Sequence, residues 1–214
     1  MGEKRITSKL IFLFMEKVGV KLESYKIKRL IDFSFIFVEN LIVNLDKLHD
    51  TYFDYYSDII TNEINIAEIT SDKQVLHIGS GSIPVTSIII AKNTGAKVVG
   101  IDKNSDSIKK GKTCILKSNL SDKIQLFNMD AESFSVNKFD IIIISHGVKP
   151  IDIILTHIAK SMKESAKVIY RTSSTSSGEI SEKDQFIGKI FNIDNIVAQK
   201  KNALLISILL KKKK

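Results

Sequence analysis

Two glycines and a distant aspartate are the residues whose types and spacing best indicate chemistry in this chain. Residues 74–78 have the pattern of a buried strand, Gly79-Ser80-Gly81 follows, and residues 85–91 have the apolar pattern of a helix. Glycines at such a turn let the backbone approach a nucleotide, and the next helix presents free amides at its N-terminus. Asp102 follows Gly81 by 21 residues, where a carboxylate can accept hydrogen bonds from both ribose hydroxyls of an adenosine. The spacing predicts a site for an adenosine-containing cofactor.

Pro84 helps to separate the possible cofactors. The dinucleotide-binding fingerprint requires a glycine where Pro84 stands, and a pyrophosphate needs a fully open helix start, so the sequence disfavours NAD. Proline suits the first turn of a helix because its missing N–H costs little there. A tight strand-to-helix turn without any ligand is the structural alternative for Gly79 and Gly81.

The chain has two regions that differ in the periodicity of their apolar residues, and the elements they form must position the glycine loop and Asp102. Residues 8–69 carry apolar residues at helical spacing, which predicts three helices with breaks near 19–23 and 46–51. From residue 73 onward, short β-branched runs alternate with helical segments, which predicts a parallel α/β sheet with helices on both faces. The predicted strands cover residues 74–78, 97–101, 123–127, 139–145, 166–171 and 204–209. We therefore expect an N-terminal helical cap over residues 1–70 and a Rossmann-like domain over residues 71–214.

The net charge of +8 resides in the second region. Residues 1–70 hold nine basic and eleven acidic side chains, whereas residues 71–214 hold twenty-three and thirteen. Four of the basic residues form the run 211–214, which is typical of a solvated tail, and the chain lacks the arginine-rich or aromatic stripe of a nucleic-acid binder. The apolar run at residues 10–15 is too short to span a bilayer. We expect neither a nucleic acid nor a membrane as a partner.

Cysteine and histidine usage narrow the class of protein further. The single cysteine, Cys114, cannot form an internal disulfide, which favours a reducing cytoplasm. His49 and His157 lack partners at metal-ligand spacing, so the sequence predicts no metal site. A content of 43% hydrophobic residues predicts a chain with a buried core, not a disordered one.

The order of the predicted elements resembles the class I S-adenosylmethionine-dependent methyltransferase superfamily. Asp130, after the third predicted strand, matches the position where that superfamily places an acid beside the adenine amino group. His77 departs from the superfamily, because most members carry Asp or Glu two residues before the first glycine. The loop His77-Ile78-Gly79-Ser80-Gly81-Ser82-Ile83-Pro84-Val85-Thr86-Ser87 is similar to the GSG-x-(I/L)-P-x-TS loop of the nicotianamine synthases, whose strand also lacks that acid.

Further matches to the nicotianamine synthases follow in order along residues 73–175. They are Val99-Gly100-Ile101-Asp102, Met129-Asp130-Ala131, Phe139-Asp140-Ile141-Ile142 and Val168-Ile169-Tyr170-Arg171-Thr172-Ser173, of which the last resembles that family's V-x-R-S segment. The resemblance implies a Rossmann-like class I methyltransferase fold with a mostly parallel seven-stranded sheet, and S-adenosylmethionine as cofactor. The residues that we assign to the cofactor are His77, Gly79, Ser80, Gly81, Ser82, Pro84, Thr86, Asp102, Asp130 and Ala131.

The resemblance also implies a reaction, the transfer of the 3-amino-3-carboxypropyl group of S-adenosylmethionine onto a small amine or amino acid to make a metal-chelating metabolite. A nucleophile attacks whichever carbon beside the sulfonium lies in line with it. The cofactor motifs therefore leave methyl transfer to a small molecule as the alternative. A non-catalytic adenosyl-ligand or RNA-binding module is the alternative of another class.

An amine nucleophile must lose a proton, so we expect a base or acceptor near the sulfonium. Residues 52–68 loosely resemble the tyrosine-rich helix that carries the acidic residue of the nicotianamine synthases, which makes Tyr52, Tyr56 and Glu63 catalytic candidates. His146, at the end of the fourth predicted strand, is a further candidate base. Arg171 and Lys149 are the predicted contacts for a substrate carboxylate. Packed or solvated tyrosines, a hydrogen-bonded histidine and an arginine ion pair are the structural alternatives.

Overall fold

The computed structural model describes residues 46–173, 185–199 and 202–213, in which helices cover both faces of a seven-stranded sheet. The helices are α1 (Asp46–Ala67), α2 (Val85–Thr94), α3 (Ser105–Lys117), α4 (Ile151–Ser161) and α5 (Ile187–Ile190). The strands are β1 (Gln74–Ile78), β2 (Lys97–Asp102), β3 (Ile124–Asn128), β4 (Ile141–Ile144), β5 (Lys167–Ser173), β6 (Phe191–Gln199) and β7 (Asn202–Lys212). The first two predicted helices, which fall before residue 46, lie outside the described residues.

The strand order is β3-β2-β1-β4-β5-β7-β6. The first five strands of the chain pair in parallel, whereas β7 runs antiparallel to both β5 and β6. The chain moves from β1 outward to β2 and β3, then returns to place β4 on the other side of β1. The strand order therefore reverses between β1 and β4, which is where open α/β sheets place their ligands, beyond the carboxyl ends of the strands.

Apolar residues bury both faces of the sheet. The four isoleucines of β4 are all buried, which explains the apolar run without alternation. Residues of α1, α2 and α3 pack on one face, in the cluster that contains Val75, Ile143 and Ile169. Residues of α4 and α5 pack on the other face, in the cluster that contains Leu76 and Ile142. Within the described ranges, no helix has both the length and the apolar character needed to cross a membrane.

The edge strand β6 is the strand that the sequence patterns do not predict. Asn192, Asp194 and Asn195 are exposed and interrupt the apolar alternation, and the register with β7 shifts between Ile193 and Asn195. An edge strand forms hydrogen bonds along one side only and requires little buried surface, so its residues carry a weak periodic signal.

The terminal lysines correct one expectation from the sequence. Lys211 and Lys212 belong to β7, where they pair with β5 and β6, so the run is not simply a solvated tail. Lys211 forms an ion pair with Asp194 at 2.9 Å, and Lys212 donates to the carbonyl oxygen of Met162 at 3.1 Å. Backbone pairing does not depend on side-chain polarity, and lysine stems can lie along an apolar surface while their charges reach water.

Deleting residues 211–214 is therefore expected to lower the free energy of unfolding by about 1–3 kcal/mol, because the end of β7 and its ladder hydrogen bonds are lost. Thermal denaturation measures the effect as a lower Tm. Replacing the same four lysines by threonine is the matched control, since it keeps the strand and removes only the charges. An unchanged Tm in the deletion variant would restore the solvated-tail interpretation.

Candidate functional site

The loop between β1 and α2 adopts a conformation that glycine favours at two positions. Gly79 has φ of +78° and Gly81 has φ of +66°, both in the left-handed region. A Cβ at Gly79 would lie 2.6 Å from Cγ2 of Val148. The amides of Gly79 and Ser80 donate to the carbonyl oxygen of Ile101 at 2.9 and 3.1 Å, which ties the loop to β2. The chain thus holds a side-chain-poor loop at the carboxyl end of β1.

Asp102 ends β2 directly beside this loop. Its Oδ2 accepts from the amide of Gly81 at 2.9 Å, and its Oδ1 accepts from the amide of Asn104 at 2.9 Å. The residue is half-buried, and each carboxylate oxygen can accept a further hydrogen bond. The glycine loop and Asp102 are therefore in direct contact.

The end of β3 lies next to Asp102 because β2 and β3 pair in parallel. Asn128 is the register partner of Asp102, and the amide of Met129 donates to the carbonyl oxygen of Asp102 at 3.2 Å. Asp130 follows, exposed, with Oδ1 accepting from the amide of Glu132 at 3.0 Å. The structure therefore brings the glycine loop, Asp102 and Asp130 to one edge of the sheet.

The start of α2 lies directly after the glycine loop, at the same edge of the sheet. Pro84 is the N-cap residue, and no side chain caps the first turn of α2. Ser82 is buried and donates to Ser107 at 3.3 Å. Ser80 is 3% exposed, and its hydroxyl has no hydrogen-bond partner among the described residues.

His77 lies in β1 on the sheet face covered by α1 and α2. Its Nδ1 is 2.9 Å from Oγ of Ser87, and its Nε2 is 2.9 Å from Oγ of Ser145. Burial, and secondarily the charge of Arg171, lower the pKa of His77 from 6.5 to about 3. The imidazole is therefore neutral at physiological pH and joins α2 to the end of β4 through two hydrogen bonds.

A buried ion pair connects α1 to the same face. Arg171 Nε donates to Glu63 Oε1 at 2.8 Å, and Arg171 Nη2 donates to Glu63 Oε2 at 2.6 Å. Arg171 Nη1 donates to Thr86 Oγ1 at 3.0 Å, and the hydroxyl of Ser207 donates to Glu63 Oε1 at 2.7 Å. The carboxylate that Arg171 holds here is that of Glu63, so a substrate carboxylate could reach this guanidinium only by displacing it.

The remaining predicted site residues are distributed around this edge. His146 and Lys149 are exposed in the segment that follows β4. Tyr56, on α1, is half-buried and packs against Ile59 and Leu205. The backbone of Tyr52 belongs to α1, and its side chain lies outside the described part of the structure.

Sequence reasoning missed three serines that take part in the buried networks. Ser87 and Ser145 bind His77, and Ser207 binds Glu63. The signal for Ser207 was its position in an apolar strand run, because a buried hydroxyl requires a polar partner. Which partner it has depends on long-range pairing, since 144 residues separate Ser207 from Glu63.

Comparisons with known proteins agree with this arrangement. Residues 4–203 match the family model described as "Nicotianamine synthase protein". A crystal structure of MtNAS in complex with MTA and tNA has a TM-score of 0.73 at 16% identity, covering 98% of this chain and 86% of that chain. A mutant of MtNAS in complex with S-adenosylmethionine has a TM-score of 0.72 at 17% identity, with 87% and 75% covered. No curated protein sequence matches.

The fold is shared more widely. A putative S-adenosyl-L-methionine-dependent methyltransferase from Methanococcus maripaludis has a TM-score of 0.64 at 18% identity, covering 82% of this chain and 94% of that chain. Together with the strand order, these likenesses confirm the predicted Rossmann-like class I methyltransferase fold.

Proposed function

Because the chain belongs to the nicotianamine synthase family, we propose that it transfers the 3-amino-3-carboxypropyl group of S-adenosylmethionine onto a small amine or amino acid, giving a metal-chelating metabolite. Membership confirms the predicted class, an S-adenosylmethionine-dependent transferase. The observation that carries the proposal is the family match over residues 4–203. The complexes of MtNAS, one with S-adenosylmethionine and one with MTA and tNA, support the same donor.

The residues at the carboxyl edge fit S-adenosylmethionine. Gly79 and Gly81 add no side chain of their own to the loop, and the first turn of α2 has no side-chain cap to compete with a ligand. Asp102 would hold the ribose hydroxyls through the remaining acceptor capacity of its carboxylate. Asp130 and Ala131 would flank the adenine, as the family resemblance implies. The ligand supplies a sulfonium that makes each adjacent carbon open to attack.

The transfer requires a deprotonated amine on the acceptor. Its nitrogen forms a bond to the γ-carbon of the transferred group, the bond from that carbon to sulfur breaks, and the electron pair leaves with sulfur as methylthioadenosine. The nitrogen loses its proton to a base. An in-line approach of the nitrogen decides that this carbon reacts instead of the methyl group.

Tyr52, Tyr56, Glu63 and His146 are the proposed catalytic residues. Among them, His146 has the exposed position at the carboxyl edge that a base needs. Both oxygens of Glu63 already accept hydrogen bonds from Arg171, so Glu63 would take a proton only after losing a contact. Lys149, exposed after β4, is the proposed contact for an acceptor carboxylate.

Product analysis tests the proposed reaction. The protein is incubated with S-adenosylmethionine and candidate amines, and the cofactor product is identified by mass spectrometry. Methylthioadenosine is the expected product. S-adenosylhomocysteine would instead establish a methyltransferase, and tight binding of S-adenosylmethionine with neither product formed would favour a non-catalytic adenosyl-ligand module.

Replacing Asp102 by alanine is expected to weaken S-adenosylmethionine binding at least tenfold, or by about 1.4 kcal/mol or more, because two ribose hydroxyls lose a charged acceptor. Isothermal titration calorimetry measures the change. Asp106→Ala is the matched control, since it removes an exposed carboxylate from the first turn of α3 nearby and is expected to leave affinity unchanged. Equal affinities for Asp102→Ala and the wild type would show that Asp102 does not contribute to binding of S-adenosylmethionine.

The proposed location of this reaction is the cytoplasm. The support is the cysteine content, because the single Cys114 offers no internal disulfide to stabilise a secreted form.

A further inference from the structure

One buried imidazole joins two serine hydroxyls at the point where the strand order reverses. His77 contacts Ser87 of α2 through Nδ1 and Ser145, directly after β4, through Nε2, each at 2.9 Å. His77 is 2% exposed and Ser87 is 0% exposed. A neutral imidazole has one N–H donor and one acceptor nitrogen, so one serine must donate to it and the other must accept from it.

The burial of Ser87 decides the direction of this chain of hydrogen bonds. His77 is the side-chain partner of Ser87 in the described structure. If Nδ1 carried the proton, the fully buried Ser87 hydroxyl would keep an unused donor, and an unsatisfied buried donor is costly. Ser87 therefore donates to Nδ1, the proton lies on Nε2, and Nε2–H donates to Oγ of Ser145.

Ser145 is thereby left as a hydrogen-bond donor at the edge of the sheet. Its oxygen accepts from His77, so its own O–H is directed elsewhere. The residue is half-buried, and its amide donates to the carbonyl oxygen of Ile78 at 3.0 Å, which sets it level with Gly79. A Cβ placed on Gly79 would lie 3.3 Å from Cβ of Ser145 and 3.9 Å from its Oγ. The hydroxyl thus lies beside the glycine loop, at the switch point where a ligand is expected.

We propose that Ser145 donates a hydrogen bond to the carboxylate of the aminocarboxypropyl group of S-adenosylmethionine, and that His77 is the positioning residue that holds this hydroxyl as a donor. The inference rests on the proposed function only for the identity of the ligand, and it holds whichever group is transferred. Histidine at residue 77 also brings no negative charge beneath the loop that would repel a carboxylate. A donor held in one orientation binds an anion without the entropic cost of ordering a free hydroxyl.

Binding of two ligands that differ in this carboxylate tests the proposal. S-adenosylhomocysteine carries the amino-acid portion and methylthioadenosine lacks it. By calorimetry, Ser145→Ala is expected to bind S-adenosylhomocysteine about tenfold more weakly and methylthioadenosine unchanged. Ser161→Ala is the matched control, because this half-buried serine of α4 bonds to the carbonyl oxygen of His157 away from the glycine loop. Equal losses for both ligands, or no loss, would overturn the assignment.

Two further measurements separate positioning from a general structural effect. Nitrogen-15 NMR of the wild-type imidazole is expected to show the proton of His77 on Nε2, and a proton on Nδ1 would overturn the proposal. His77→Phe is expected to reproduce the loss for S-adenosylhomocysteine alone, with no additional loss when combined with Ser145→Ala. Additive losses would contradict action through Ser145. A wild-type protein that binds neither ligand would instead refute the proposed function itself.

Discussion

Replacing Arg171 by methionine is expected to lower the free energy of unfolding by about 3–5 kcal/mol, because it leaves a buried carboxylate without its cation. Glu63 is 0% exposed and Arg171 is 4% exposed, so water cannot replace the lost contacts. Two charge-assisted hydrogen bonds, at 2.8 and 2.6 Å, disappear together with the bond to Thr86. Urea denaturation followed by circular dichroism measures the change.

Two variants give this prediction its controls. Lys163→Met breaks a more exposed ion pair with Asp140, whose side chains are 33% and 29% exposed, and is expected to cost at most about 1 kcal/mol. Combining Glu63→Gln with Arg171→Met removes both charges and is expected to recover part of the stability. If Arg171→Met costs no more than Lys163→Met, the pair does not hold α1 against the sheet.

Replacing Gly79 by alanine is the second large expected effect, and it acts on stability and ligand binding together. The added Cβ would lie 2.6 Å from Cγ2 of Val148 and 3.3 Å from Cβ of Ser145. We expect an overpacking cost of about 1–3 kcal/mol beyond the strain of the left-handed conformation. We also expect a loss of S-adenosylmethionine affinity of more than tenfold, because the loop must move.

Gly95→Ala isolates the conformational part of this effect. Gly95 ends α2 with φ of +75°, close to the +78° of Gly79, but its nearest contact for a Cβ is Ser71 at 3.4 Å. We expect this variant to cost about 1–2 kcal/mol from backbone strain alone and to leave ligand affinity unchanged. Equal unfolding free energies for the two variants would mean that Val148 simply moves aside.

The cofactor side of the site was predictable because its signals are local. A strand, two glycines and a helix start follow one another within residues 74–87, and each has its own sequence pattern. The order of alternating strands and helices then implies that the carboxyl ends of parallel strands meet at one edge. Asp102 contacts the loop through the amide of Gly81, and the β2 to β3 register sets Asn128, two residues before Asp130, level with Asp102.

The buried networks were not predictable in the same way, because their partners are distant in the chain. Glu63 and Arg171 were expected as a catalytic acid and a substrate contact, and the structure pairs them with each other across 108 residues. His77 is predicted from the sequence as a cofactor residue, and the structure shows its ring nitrogens in contact with Ser87 and Ser145. Residue types alone do not say which polar groups share a buried space.

The sequence by itself determined the α/β class, the glycine loop, the acid beside it and the family that these features resemble. Those properties depend on local periodicity and on short spacings, which can be read from the sequence without knowledge of any tertiary contact. Tertiary structure alone decided that Lys211 and Lys212 complete a strand, that the Glu63 carboxylate is occupied by Arg171, and that His77 joins Ser87 to Ser145. The strand depends on backbone pairing, which is independent of side-chain polarity. The two polar networks depend on burial, which removes water as a competing partner and makes the identity of the nearest polar group decisive.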